Sequence, residues 1–268
     1  MLHEFIEQTI DFLRKSDIPL HETDLTKTEV NEKGGPTVYL ESFVESFSRP
    51  QISKNILLHT MVVFSLIDAQ IDFQYPDLPS NSFEVRYDNL PSNTDLQIIQ
   101  KELYRVLRII RNAVIHQRSS VAYNGTLITV TRGENKKLEL TQRGLELIYS
   151  FIVDLYAPKG QPEEYTLALA RDLYDEIRDN VYLISDNTDT QLATISDRLR
   201  LQRSQRRRVI NPSYTVDDGI INIQTRFKHA LLVQYEYVVN IEDDKYIIPG
   251  ELLSDMKIPL TEISSWKL

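Results

Sequence analysis

The stretch Arg105 to Ser120, RVLRIIRNAVIHQRSS, sets an arginine, an asparagine and a histidine close together as Arg111, Asn112 and His116. These side chains suit metal-free cleavage of RNA. That reaction needs a group to take the 2′-hydroxyl proton, a group to protonate the leaving oxygen, and positive charge on the phosphorane-like transition state. Imidazole takes and gives protons near neutral pH. Guanidinium presents a planar fork of donors to phosphate oxygens and stays charged. Asparagine could orient either partner. The ordinary reading of the same residues is a surface arginine beside a helix-capping histidine, and spacing alone does not separate the two.

The elements that must position these groups follow from periodicity. Thr94 or Asn93 can cap a helix whose apolar face is Leu96, Ile99, Leu103, Val106, Leu107, Ile110 and Val114, lasting to about His116. On that helix Arg108, Asn112 and His116 share one side. Arg111 and His116 diverge by about 140° at 3.6 residues per turn. They can act together at a helix end or across a two-fold dimer. Upstream, Pro50 opens a long apolar helix with Ile52, Ile56, Leu57, Met61, Phe64, Ile67 and Ile71, stopped by the prolines at 76 and 79. Downstream, Asn124-Gly125 between short β-type runs predicts a hairpin. Thr141 then caps a further amphipathic helix.

This stretch resembles the HEPN superfamily, whose signature is an arginine, four to six residues, and a histidine, often with asparagine after the arginine. Here RNAVIH supplies Arg111, Asn112 and His116. The apolar helix containing VVFSLIDAQID, the hairpin and the following helix are also similar, over roughly residues 50–157. The resemblance implies a helical bundle that dimerises so that two motifs meet. It also implies metal-independent endoribonuclease activity in a toxin–antitoxin or antiphage setting, with Arg111 and His116 catalytic and Asn112 supporting. Some members are non-catalytic RNA binders or interaction modules, and that alternative stays open. One subgroup places a tyrosine two residues after the histidine. Arg118 stands there in this chain, so tyrosine-based regulation is not carried over.

The resulting expectation is a mainly α fold: an N-terminal helical extension over 1–48, a HEPN-like bundle with a small β-hairpin insertion over 49–158, and a C-terminal α+β region over 163–268. In detail, 16–37 reads as loop, 38–48 as a short helix, and 76–92 as loop with a short strand at FEVRY. Residues 163–184 and about 189–206 read as helices, with β-type runs after Pro212. Six arginines crowd into 198–208. Arg198, Arg203, Arg206, Arg207 and Arg208, with Arg108 and Arg118, are candidate contacts to RNA phosphates. The bland alternative for the cluster is a solvated helix end.

Composition limits the other classes. The chain has 268 residues, no cysteine and a net charge of −9. Thiol chemistry and disulfides are excluded, and a coat-like nucleic-acid binder would be basic. The pairs Asp68/Asp72 and Glu41/Glu45 lack the Glu-x-x-His partners of bundle metal sites, so no metal or cofactor is expected; Asp68 could pair with Arg111 in the core. Neither a phosphate-cradling glycine loop nor a Gly-x-Ser-x-Gly elbow occurs. The acidic N-terminal segment is unlike a signal peptide, and no apolar run was found to approach the roughly 20 residues of a membrane span. A cytoplasmic protein is expected, with an RNA substrate, a second copy of itself, and an antitoxin or regulatory protein as partners.

Overall fold

The computed structural model describes residues 2–18, 20, 25–31, 35–41, 56–78, 82–116, 119–155, 162–186, 190–202, 206–225 and 234–268. In chain order its elements are α1 (Leu2–Lys15), β1 (Leu25–Asn31), β2 (Gly35–Glu41), α2 (Ile56–Gln74), α3 (Phe83–Asn89), α4 (Asp95–Ile115), β3 (Ser119–Tyr123), β4 (Leu127–Arg132), β5 (Asn135–Thr141), α5 (Gln142–Leu155), α6 (Glu163–Asp179), β6 (Val181–Ile184), β7 (Arg206–Ile210), β8 (Tyr214–Asp217), β9 (Ile220–Ile223), β10 (Gln234–Ile241), β11 (Asp244–Pro249) and β12 (Lys257–Pro259). Three short 3-10 turns punctuate the C-terminal part.

The expectation of a mainly α fold is overturned. Twelve strands lie among the described residues, and they form four sheets. The chain divides into two compact units. The first comprises 1–21, 44–157 and 173–197; the second comprises 22–43, 158–172 and 198–268.

In the first unit α2 packs against α4, with α1 and α5 also against α2. Val63, Leu66 and Ile71 of α2 and Ile99, Leu103, Val106, Leu107 and Ile110 of α4 are fully buried. Burial of this kind contributes roughly 1.5–3 kcal/mol per large apolar side chain. By length and composition α2 does pass for a membrane-crossing helix, which corrects the reading that no such run exists; half of its apolar window lies inside the protein. The Thr94 hydroxyl caps α4 by accepting from the Gln97 N–H at 3.3 Å.

The expected small hairpin is the start of a four-stranded antiparallel sheet ordered β3-β4-β5-β6. Asn124 Oδ1 accepts from the Leu127 N–H at 2.8 Å, and Gly125 takes φ +95°, which suits a residue without Cβ. Thr141 caps α5 through the Gly144 N–H at 2.9 Å. A Cβ on Gly144 would lie 2.8 Å from the Asn180 Cβ, so only glycine allows this approach.

In the second unit β7 and β10 pair in parallel, β10 pairs antiparallel with β11, and a separate sheet runs β12-β9-β8. Glu236, Tyr237, Val238 and Val239 are consecutive buried residues of β10, so this strand is covered on both faces. Val209, Ile221, Ile223, Val239, Ile248 and Ile258 form one core. Tyr165, Ala168, Leu201, Ile247 and Trp266 form another.

Four local expectations change. Residues 38–41 form β2 rather than a helix, paired along its full length with β1 inside the expected loop; the 42–48 portion lies outside the described residues. FEVRY is helical because Ser82 caps α3, its Oγ accepting from the Val85 N–H at 3.1 Å. The expected 163–184 helix stops at Asp179, and Val181–Ile184 pairs with β5 instead. The described residues between 190 and 202 carry no helix, and 206–210 is a strand. β7 carries no apolar period of two, because its buried residues are Arg206 and Val209, three apart.

Candidate functional site

The last turn of α4 carries the motif. The Arg111 guanidinium lies 4.5 Å from the Phe83 ring centroid, and its Nη1 donates to Asn112 Oδ1 at 3.1 Å. Helical backbone stops at Ile115. His116 caps the helix in an extended conformation (φ −106°, ψ 123°), its N–H donating to the Asn112 carbonyl at 3.0 Å. Asn112 therefore touches Arg111 through its side chain and His116 through its backbone. His116 is exposed, and its imidazole makes no hydrogen bond to a described residue. Helical backbone thus ends one residue before His116, as the motif at a helix end requires.

One to two turns earlier, α4 carries a denser set of charges. Arg105 and Arg108 are both almost fully buried. Asp186 Oδ1 accepts from Arg105 Nε at 2.7 Å and lies 2.6 Å from its Nη2. Asp186 Oδ2 accepts from Arg108 Nη2 at 2.6 Å. Arg105 Nη1 also donates to Glu102 Oε2 at 3.2 Å and to the Gln191 carbonyl at 3.3 Å. The Arg108 guanidinium sits 4.9 Å from the Tyr87 ring centroid, while its buried Nε has no hydrogen-bond partner among the described residues. Burial pushes the Glu102 carboxyl above its usual range against the opposing pull of Arg105. Burial, with the Glu102 charge, pushes the Tyr87 hydroxyl up to about 12.

Arg108 is buried, Asn112 half-buried and His116 exposed, so burial falls toward the end of α4. Arg105, Glu102, Tyr87 and Asp186 escaped the sequence reading. The signal available was a Glu102–Arg105–Arg108 series at i, i+3 spacing inside an apolar stripe. Nothing local pointed to Asp186.

Asp68 does not pair with Arg111. Its Oδ1 accepts from Arg86 Nη1 at 2.5 Å and from the Tyr104 hydroxyl at 3.2 Å. Asp72 lies 2.9 Å from Arg86 Nη2. Burial raises the Asp68 carboxyl, opposed by Arg86. Arg86 engages both carboxylates, as a charge buried in a helical core requires.

The arginine cluster does not form one surface. Arg206 is fully buried: its Nε donates to Glu236 Oε2 at 3.1 Å, and its Nη1 and Nη2 donate to the two Glu251 oxygens at 2.6 and 3.2 Å. Arg208 Nε donates to Glu236 Oε1 at 2.6 Å. Arg206 is thus enclosed and paired with two carboxylates, while the buried Nη2 of Arg208 has no hydrogen-bond partner among the described residues. Arg198 and Arg207 are exposed. Arg118 and Arg203 lie outside the described residues.

No family model, curated protein or solved structure matches this chain.

Proposed function

We propose that this chain is a metal-independent endoribonuclease in which His116 transfers the proton, Arg111 stabilises the phosphate in the transition state, and Asn112 orients them. One observation carries the reading: Asn112 ties the Arg111 guanidinium and the His116 backbone to a single accessible helix end. A phosphodiester approaching that end meets a fixed cation and an open imidazole without a metal.

One imidazole at this helix end supplies one proton-transfer group. A second copy supplies the other, and the exposed apolar residues Val114 and Ile115 beside the motif are surface that such a copy would cover. The resemblance to HEPN proteins extends the reading to a cytoplasmic toxin or antiphage effector restrained by an antitoxin or regulatory protein. One observation favours a non-catalytic RNA-binding module instead: no described residue orients the His116 imidazole, whereas a general base is held by a partner.

The test is incubation of the purified chain with RNA in chelator. The wild type cleaves. His116→Ala lowers the rate by about 10²-fold or more, while its stability changes by less than about 0.5 kcal/mol, as for an exposed side chain. RNA left intact by a wild-type protein that still binds it would sink the enzyme reading in favour of the binding module.

A further inference from the structure

We propose that Phe83 is a positioning residue for Arg111: its ring, with the Asn112 amide, fixes the guanidinium at the end of α4 by neutral contacts alone, so that the whole charge is kept for a phosphate of the RNA. The inference rests on the RNA-directed reading above and adds to it the residue that aims the cation.

The arginines of the first unit divide by the partner they are given. Arg86, Arg105 and Arg108 are buried, and each pairs with a carboxylate. A carboxylate satisfies a buried guanidinium and also cancels its charge. Arg111 is half-buried and has no such partner among the described residues. Its guanidinium carbon lies 4.5 Å from the Phe83 ring centroid, and its Nη1 lies 3.1 Å from Asn112 Oδ1. A ring attracts a cation through its quadrupole and an amide oxygen through its dipole, and neither brings a net charge. The other N–H donors of Arg111 make no hydrogen bond to a described residue. That leaves an edge of the fork for the bidentate contact a phosphate makes.

The ring is itself fixed. Phe83 opens α3 directly after the Ser82 cap. It meets Phe64 of α2 edge to face, with ring centroids 5.2 Å apart and planes at 86°. Phe64 lies against Tyr104 of α4 at 5.4 Å, and the Tyr104 hydroxyl donates to Asp68 at 3.2 Å. Phe64 and Tyr104 are both buried. Tyr104 and Arg111 stand about two turns apart on α4, so they share one side of it. The aromatic row Tyr104, Phe64, Phe83 therefore ends on the guanidinium. Aromatic pairs of this geometry contribute beyond their buried area, and the preference for one arrangement holds each ring in place. A long, flexible arginine loses less freedom on binding phosphate when a rigid ring has already set its position. A leucine at 83 would fill similar space against Phe64 but offer the guanidinium no negative face.

The test uses the full chain in chelator with a fluorescein-labelled single-stranded RNA, in two arms: cleavage with His116 in place, and binding with His116→Ala. Phe83→Leu keeps apolar bulk against Phe64 and removes the ring face, and kcat/KM and affinity each fall about fivefold. Phe83→Tyr keeps the face and restores both. In an Arg111→Ala chain Phe83→Leu changes neither, because the two residues act as one unit. Replacing Phe83 by pentafluorophenylalanine keeps the ring's shape and reverses its quadrupole, and it lowers both measures as leucine does. Unchanged values in a folded Phe83→Leu protein overturn the proposal. So does a loss that Phe83→Tyr fails to restore, a loss that persists without Arg111, or a pentafluorophenylalanine protein that equals the wild type. If Phe83→Leu does not fold, the pentafluorophenylalanine protein alone decides. Failure of the ribonuclease reading looks different: RNA stays intact with His116 in place, while Phe83→Leu still weakens binding through Arg111. RNA that is neither bound nor cut overturns both.

Discussion

Two arginine pairs in this chain are each bridged by one carboxylate, yet they stand on different backbones. Arg206 and Arg208 lie on β7 and share Glu236 of β10. The two strands are paired in parallel, with Glu236 opposite Arg208 in register. Glu236 cannot leave without breaking a sheet, and the Tyr165 hydroxyl donates to it at 2.5 Å as well. Arg105 and Arg108 lie on α4 and share Asp186, which lies two residues past the end of β6. Each pair has a second carboxylate on one arginine, Glu251 on Arg206 and Glu102 on Arg105, and each leaves one buried donor without a partner among the described residues. What differs is the backbone carrying the shared carboxylate. The first carboxylate lies within a sheet ladder; the second lies just past the end of β6.

The comparison breaks most directly at Glu236. Glu236→Ala leaves two buried guanidiniums short of their shared partner and should cost about 3–5 kcal/mol, read as a fall in the urea midpoint. Asp186→Asn should cost less, about 1–3 kcal/mol, because the amide keeps the side chain's shape and one acceptor oxygen for the arginines. Equal losses at the two positions would erase the distinction drawn here. The smallest effect sharpens it through pH. Glu102 shares Arg105 with Asp186, and burial raises its carboxyl above the ordinary 4.5. A raised folded-state pKa gives stability that is complete below the unfolded value and is lost as pH rises through the folded one. Glu102→Gln should therefore flatten the loss of stability on going upward from pH 4.5, measured as the wild-type minus variant difference in urea midpoint across pH 4.5–7. An unchanged slope would mean that the carboxyl is not held in the dry interior that the Arg105 contacts describe.

The helices α1, α2, α4 and α5 were legible because their signals are local: a cap, an apolar stripe and a stop within one segment. The Asn124-Gly125 turn was legible for the same reason. The strands β1 and β2 were read as loop and helix because their pairing partner is each other, and neither segment alone carries the alternation that a sheet face imposes. β7 was missed because an arginine points inward. At the site, the end of α4 at His116 followed from the pattern.

The sequence by itself determined which residues could do chemistry, where the helix bearing them runs, and that no thiol takes part. Only the tertiary structure decided which arginines are available. Asp186 lies 78 residues from Arg108 and 81 from Arg105 along the chain, and Glu236 lies 30 from Arg206. A charge's partner is chosen by distance through space. The free energy of burying a guanidinium depends on that partner, and no periodicity within one segment encodes it.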